Sequence, residues 1–234
     1  MIQDFPASDK PLWRLIGQEA LAYLAAAALH PFGIRDSPRR TPRRQHQRTV
    51  VVVHGLGGNR STLFPLAAYL RHRGHRQVLS FNYRGGDGIE RSARALKQYL
   101  RRHVRGGRLD LVGHSLGGLV ARVYIEQLGG ARRVDRCVTL AAPHRGTYNA
   151  YWLGSRPGAQ LRPDSPLMQR LTSCGAQASG VRYLSVVAGS DNLVIPRVFA
   201  GHEKAVHVPD LGHVAMLFSP QVLRLVGDFL GPAS

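Results

Sequence analysis

The run "TVVVVHG", Thr49 to Gly55, constrains the fold more than any other stretch of this chain. A strand with one face in water alternates apolar and polar residues. This one does not, so it belongs in a sheet covered on both faces, and such sheets are parallel ones whose crossover helices do the covering. Further strand candidates follow at Gln77–Asn82, Leu109–Val112, Arg136–Leu140, Tyr183–Ala188 and Ala205–Val208. Helical patterns lie between and after them at Thr62–Arg73, Gly88–Arg102, Leu116–Leu128 and Val214–Leu230. The alternation predicts an α/β chain with right-handed crossovers, a mostly parallel open sheet of about six strands and helices on both faces. Ligands of such sheets bind beyond the carboxyl ends of the strands, so the loops after the strands are where chemistry is expected.

A chain of 234 residues fits one domain with a full core. Residues 1–30 are expected to form an accessory helix, 31–48 a linker with three prolines and six arginines, and 49–234 the α/β domain. The segment from about 145 to 180 is too long for an ordinary connection. It carries Tyr148, Tyr151, Trp152, Leu161, Leu167 and Met168, which fits a small cap over a site rather than a disordered loop. The helical stretch Leu12–Leu29 has an uninterrupted apolar part, Ala20–Leu29, about half of the ~20 residues a spanning helix needs. It reads as a helix packed on the domain or resting on a membrane face, with an uncleaved export signal as the alternative. The compartment stays open between cytoplasm, a peripheral membrane location and secretion.

The net charge is +18, and of 32 basic residues only Lys10, Lys97 and Lys204 are lysines. Such a balance suits anionic partners, or reflects an arginine-rich solvated surface. The arginines are scattered along the chain, which favours the second reading; no nucleic-acid partner is expected, and a non-enzymatic module binding nucleic acid or anionic membrane is the less favoured alternative. The one compact run, Arg39, Arg40, Arg43 and Arg44, could tether residues 1–48 to an anionic membrane, separably from any chemistry. Cys137 and Cys174 lie in a strand and a surface segment, without metal-ligand spacing, and no disulfide is expected. A monomer without cofactor is expected.

The chemistry is written in "LVGHSLGG", residues 111–118. Gly113-His114-Ser115-Leu116-Gly117 matches G-x-S-x-G, placed after a strand and opening a helix. A sharp strand-to-helix turn there lifts the serine hydroxyl above the sheet edge, and glycines two residues away on either side avoid clashes. A serine needs a base, and the base needs a third group to orient it. In this architecture the order is Ser, acid, His. Asp191 follows a strand in "YLSVVAGSDNLVIP", and His213 stands between the last strand and last helix in "HVPDLGHVAMLFSP". Asp164 and Asp210 are rival acids and His202 and His207 rival bases, but none follows the proper strand end. The oxyanion of an acyl-transfer intermediate needs two backbone donors. The N–H of Leu116 directly follows the nucleophile, and that of Leu56 lies in "HGLGGN" after the first core strand. His114, Tyr148 and Trp152 are expected to contact substrate.

Taken together, "VVVVHGLGGN", "LVGHSLGGLVAR", "CVTLAAPHRGT", "VAGSDNLVIP" and "LGHVAMLFSPQV" resemble the α/β-hydrolase superfamily over about Thr49–Leu230. Within it the chain is most similar to compact bacterial triacylglycerol lipases and esterases. The resemblance implies Ser115, Asp191 and His213 as a triad, Leu56 and Leu116 as oxyanion donors, and a lipid-like or acyl ester as substrate. A thioester or an acylated phospholipid or glycolipid is the alternative. It places Ala142-Pro143-His144 near the acyl pocket, with His144 structural. Some relatives hold calcium with paired aspartates. Only Asp210 is suitably placed here, and one carboxylate is too few, so no metal is expected.

Overall fold

The sheet holds six strands: β1 (Thr49–Val53), β2 (Gln77–Phe81), β3 (Leu109–His114), β4 (Val134–Leu140), β5 (Arg182–Ala188) and β6 (Lys204–Val208). All neighbours are parallel and the order is β2-β1-β3-β4-β5-β6. The chain thus starts in the middle, steps to one edge, returns across β1 and then runs steadily to the other edge. These coordinates come from a computed structural model that describes residues 8–34, 48–104, 106–173, 180–197 and 204–232.

Side chains alternate between the two faces along each strand. Val51, Val53, Leu109, Leu111 and Cys137 point into one core, with α3 (Ile89–His103) and α4 (Leu116–Gln127). Val50, Val52, Val112, Val138 and Leu184 point into the other, with α2 (Phe64–His72) and α7 (Pro220–Leu230). Every residue of β1 is buried, which explains its unbroken apolar run. On α3 the buried residues Ile89, Ser92, Ala93, Leu96 and Leu100 recur at helical spacing, while Arg91, Arg94, Arg101 and Arg102 face solvent. On this helix the basic excess is a solvated surface. Cys137 is buried, and Cys174 lies outside the described residues.

Several boundaries differ from expectation, three of them informatively. β3 continues through Gly113 and His114, so the strand runs directly into Ser115. The region expected as one helix from Thr62 begins as a 3-10 turn, Arg60–Leu63, capped by Asn59 through the Ser61 N–H. The expected final helix from Val214 divides into a 3-10 turn, Ala215–Phe218, and α7, because Pro220 stands at the first position of α7 and holds Ser219 extended.

The accessory helix α1 (Leu12–Gly33) passes Leu29 by a full turn. It buries only Ala22 and Gly33 completely, and no helix among the described residues is long and apolar enough to cross a membrane. Between β4 and β5 stand a 3-10 turn, Tyr148–Trp152, then α5 (Arg156–Leu161) and α6 (Pro166–Ser173). The arginine run at 39–44 and His202 lie outside the described residues.

Candidate active site

Ser115 adopts φ 52° and ψ −123°, a left-handed conformation costly for any residue with a Cβ. Its N–H donates to the Leu140 carbonyl at 2.8 Å, which ties the turn to β4. The flanking glycines have a steric cause. A Cβ on Gly113 would stand 2.5 Å from the Gly117 carbonyl oxygen, and one on Gly117 would stand 2.3 Å from the Val53 carbonyl oxygen. The turn therefore closes only with glycine at both places. Leu116 opens α4 immediately after the serine, so its N–H is one of the donors a helix leaves free at its first turn.

The loop after β1 rests on this turn. A Cβ on Gly55 would come within 3.1 Å of Ser115 Cβ and of His114 Nδ1. Leu56 follows at once, and a Cβ on Gly85 in the loop after β2 would come 3.3 Å from Leu56 Cδ1 and 3.7 Å from Leu116 Cδ2. Leu56 and Leu116, taken from β1 and β3, are thus brought to the same side of Ser115. The loop is stiffened by His54, which is buried, stacks on Tyr83 at 4.3 Å between centroids and receives the Tyr83 N–H at Nε2. Its Nδ1 donates to the Gly55 carbonyl at 2.9 Å. Burial pushes the His54 pKa down, in keeping with a neutral ring.

Asp191 and His213 are both buried and meet across the ends of β5 and β6, with Oδ2 of Asp191 2.7 Å from Nδ1 of His213. The other carboxylate oxygen accepts the Leu193 N–H at 2.8 Å and the Val194 N–H at 3.0 Å. The acid is therefore fixed by its own turn before it holds the imidazole. His213 is brought to the serine by His114, whose Nε2 donates to the His213 carbonyl at 2.9 Å while the two rings lie 4.8 Å apart. No hydrogen bond joins Ser115 Oγ to His213 Nε2 among the described residues. Such bonds are often long before substrate arrives and tighten in the Michaelis complex.

The rival residues have other work. Asp210 is engaged by Ser8 and Lys10, and Asp164 accepts the Tyr151 hydroxyl at 2.7 Å. A Cβ on Gly189, just past the carboxyl end of β5, would come 2.7 Å from His207 Nε2. Asp191 is the one of the three acids that reaches His213.

For His114 the expectation is a contact with substrate. Its ring is buried behind the turn and is committed to the His213 carbonyl, and burial, with His213 adding to it, pushes its pKa down to about 3. A neutral ring donating from Nε2 positions the neighbouring histidine instead. Tyr148 and Trp152 stand in the 3-10 turn between β4 and β5 and are 58% and 88% exposed. The cap is anchored from below. Arg122 on α4 is fully buried, donates to the Leu171 carbonyl at 2.9 Å and to Glu126 at 2.9 Å, and contacts His144 Nδ1 at 3.1 Å. His144 in turn reaches Thr139 Oγ1 at 2.9 Å, so it is a strut beneath the cap. Nothing in the sequence pattern marked Arg122 among so many arginines. Among the described residues no group of three or more His, Cys, Asp or Glu is placed to hold a metal ion.

An all-parallel sheet with a strained serine on the strand-to-helix turn after β3, and an acid and a histidine after β5 and β6, defines the α/β-hydrolase fold, and the chain has it. A family profile described as "alpha/beta hydrolase fold" matches residues 48–158. Among solved structures, the mature lipase of Bacillus licheniformis superposes with a TM-score of 0.68 at 14% identity, covering 83% of this chain and 96% of its own. The monoacylglycerol lipase of Paleococcus ferrophilus gives 0.59 at 17%, covering 79% and 96%. Lipase B of Aspergillus fumigatus gives 0.68 at 13%, covering 80% and 53%.

Proposed function

We propose that this protein is a serine carboxylic-ester hydrolase that works through an acyl-enzyme on Ser115. The observation that carries the reading is the Asp191–His213 pair, whose histidine carbonyl is bonded by the residue that precedes a serine in a left-handed turn. His213 Nε2 takes the Ser115 Oγ proton as the oxygen attacks the ester carbonyl carbon. The N–H groups of Leu56 and Leu116 receive the developing oxyanion. The alcohol leaves with the proton from His213. Water then attacks the acyl-enzyme, His213 again acting as base, and the free acid departs. Asp191 keeps the proton of the neutral imidazole on Nδ1 and supports the imidazolium.

A lipid-like ester is the favoured substrate. Leu56, Tyr148, Trp152, Leu193 and Ile195 are exposed large apolar residues on loops at the carboxyl edge of the sheet, where an acyl chain would approach. The exposed Trp13 and Leu24 of α1, with the +18 charge, suit contact with an anionic lipid surface. The structural neighbours named as lipases lend the same direction. The charge also favours a second reading, an anionic acyl donor such as an acylated headgroup or an acyl thioester, taken by the same triad.

A series of nitrophenyl esters of rising acyl length tests the reading, with fluorophosphonate labelling in parallel. Wild type should turn over and take one label. Ser115→Ala should take none and lose roughly six orders of magnitude in kcat. An alanine variant as active as wild type would end the proposal. Faster turnover of anionic than neutral donors at low salt, lost at high salt, would favour the second reading. Salt-sensitive binding to anionic vesicles would support the membrane contact.

A further inference from the structure

Helix α1 is more than an appendage on the α/β domain. At its start, Ser8 and Lys10 engage Asp210 in the loop after β6. At its end, Asn59 donates to the His30 carbonyl at 2.8 Å, and Arg60 and Asn82 donate to the Phe32 and Gly33 carbonyls at 3.2 Å each. Those partners stand in the loops after β1 and β2. The helix therefore runs along the carboxyl edge of the sheet, from the histidine loop to the oxyanion loop.

Between the two ends lies Glu19. Its two carboxylate oxygens accept the Val214 N–H at 2.7 Å and the Ala215 N–H at 2.9 Å. These are the two residues that directly follow His213. On the other side of the histidine, a Cβ on Gly212 would fall 2.2 Å from Glu19 Oε2, so that residue is glycine where the carboxylate enters. The His213 main chain is thus gripped from two directions: Glu19 holds the N–H groups after it, and His114 holds its carbonyl. Asp191 holds the ring. Tyr23, one turn beyond Glu19, lies within electrostatic reach of both Glu19 and Asp191, whose charges add to burial in raising its pKa.

A carboxylate is well suited to this task. Two adjacent backbone N–H groups at the start of a turn need two acceptors, and charge-assisted bonds to them are stronger than neutral ones. A glutamine at the same place offers one acceptor oxygen, and its amide would set a donor against the second N–H.

We propose that Glu19 is a positioning residue for His213: its carboxylate, delivered by α1, sets the main-chain conformation that aims the imidazole at Ser115. The inference rests on the reading of His213 as the catalytic base. It makes the N-terminal helix part of the working site, and a tether separable from the chemistry would not carry such a residue.

The test compares full-length Glu19→Ala, Glu19→Gln and Lys10→Met with wild type and Ser115→Ala. Lys10→Met removes a docking contact of the same helix without touching Val214 or Ala215. On a soluble short-chain nitrophenyl ester, Glu19→Ala should lower kcat about 10- to 100-fold with KM within about twofold, since a small misplacement of a catalytic group costs about that much. Glu19→Gln should recover part of the loss, and Lys10→Met should keep full activity. Independently of turnover, Glu19→Ala should speed amide exchange at Val214 and Ala215 and shift or broaden the downfield proton resonance of His213 Nδ1–H. A fall in thermal stability alone, with kcat, exchange and the resonance unchanged, would reduce Glu19 to a docking contact and overturn the inference. Hydrolysis that survives in Ser115→Ala would instead defeat the ester-hydrolase reading, and the exchange and resonance measurements would still decide whether Glu19 sets the His213 loop.

Discussion

Asp191 holds His213 with one carboxylate oxygen and its own turn with the other, so orientation of the imidazole is built into the loop after β5. Asp191→Asn separates the two functions. Its side-chain oxygen can still accept the Leu193 and Val194 N–H groups, while its amide faces Nδ1 and forces the proton to the other ring nitrogen. We expect kcat to fall about 10⁴-fold with little change in melting temperature. Kinetics and a thermal melt on the same preparation check this, and a variant that keeps wild-type kcat would remove Asp191 from the mechanism.

Gly117 faces a harder limit than ordinary packing. A Cβ there would lie 2.3 Å from the Val53 carbonyl oxygen and 2.4 Å from that of His54, both backbone atoms. Gly117→Ala must therefore displace β1 or α4. The expected cost is about 3 kcal/mol, the upper part of the range for overpacking, with activity lost alongside because the oxyanion loop moves. Urea unfolding measures the first, and unchanged stability would show that the turn can relax.

The buried pair of Arg122 and Glu126 makes a third case. Arg122→Ala leaves an uncompensated carboxylate inside the protein and should cost about 3–5 kcal/mol. Because Arg122 also binds the Leu171 carbonyl, the segment around α6 should become sensitive to protease. Replacing both charges with Met and Leu should restore much of the stability. A double variant no better than the single one would mean the contact to the cap, rather than the charge, carries the effect.

His114 makes stability depend on pH. In the folded protein its pKa is pushed down to about 3, chiefly by burial, whereas unfolded it titrates near 6.5. Below about pH 6.5 the unfolded chain binds a proton that the folded chain refuses. Stability is therefore full above that pH and falls as the pH drops toward 3, by about 1.4 kcal/mol per pH unit for one such group. His54, shifted down by burial, adds to the same slope. Urea titrations between pH 7 and pH 5 should show the decline, and His114→Asn should shrink it by about one proton. An equal slope in the variant would show that His114 charges in the folded state.

The sheet was legible because β1 and its neighbours are buried on both faces, and burial of that kind writes itself as continuous Val and Leu. Ser115 was legible for a related reason: the glycines at 113 and 117 are demanded by backbone contacts a few residues away. Asp191 and His213 could be placed because the strand order puts their loops on the same edge. The bond from His114 to the His213 carbonyl was not legible, since nothing in "GHSLG" says which side of the turn its ring faces. The break before α7 had a signal, Pro220, that the helical periodicity around it masked. Glu19 had none. Its partners lie 195 and 196 residues away, and a lone glutamate in an apolar helix looks like a solvated charge.

That separation also orders the birth of the fold. Helix α1 leaves the ribosome 195 residues ahead of the main chain its glutamate grips. Until Val214 and Ala215 emerge, β1 to β5 can assemble, but the histidine loop has no fixed path and the serine no oriented partner. Long-range contacts of this kind form late, because closing the intervening chain costs entropy before any bond rewards it. If His213 is the base proposed above, the nascent protein should stay chemically silent until Glu19 meets Val214 and Ala215.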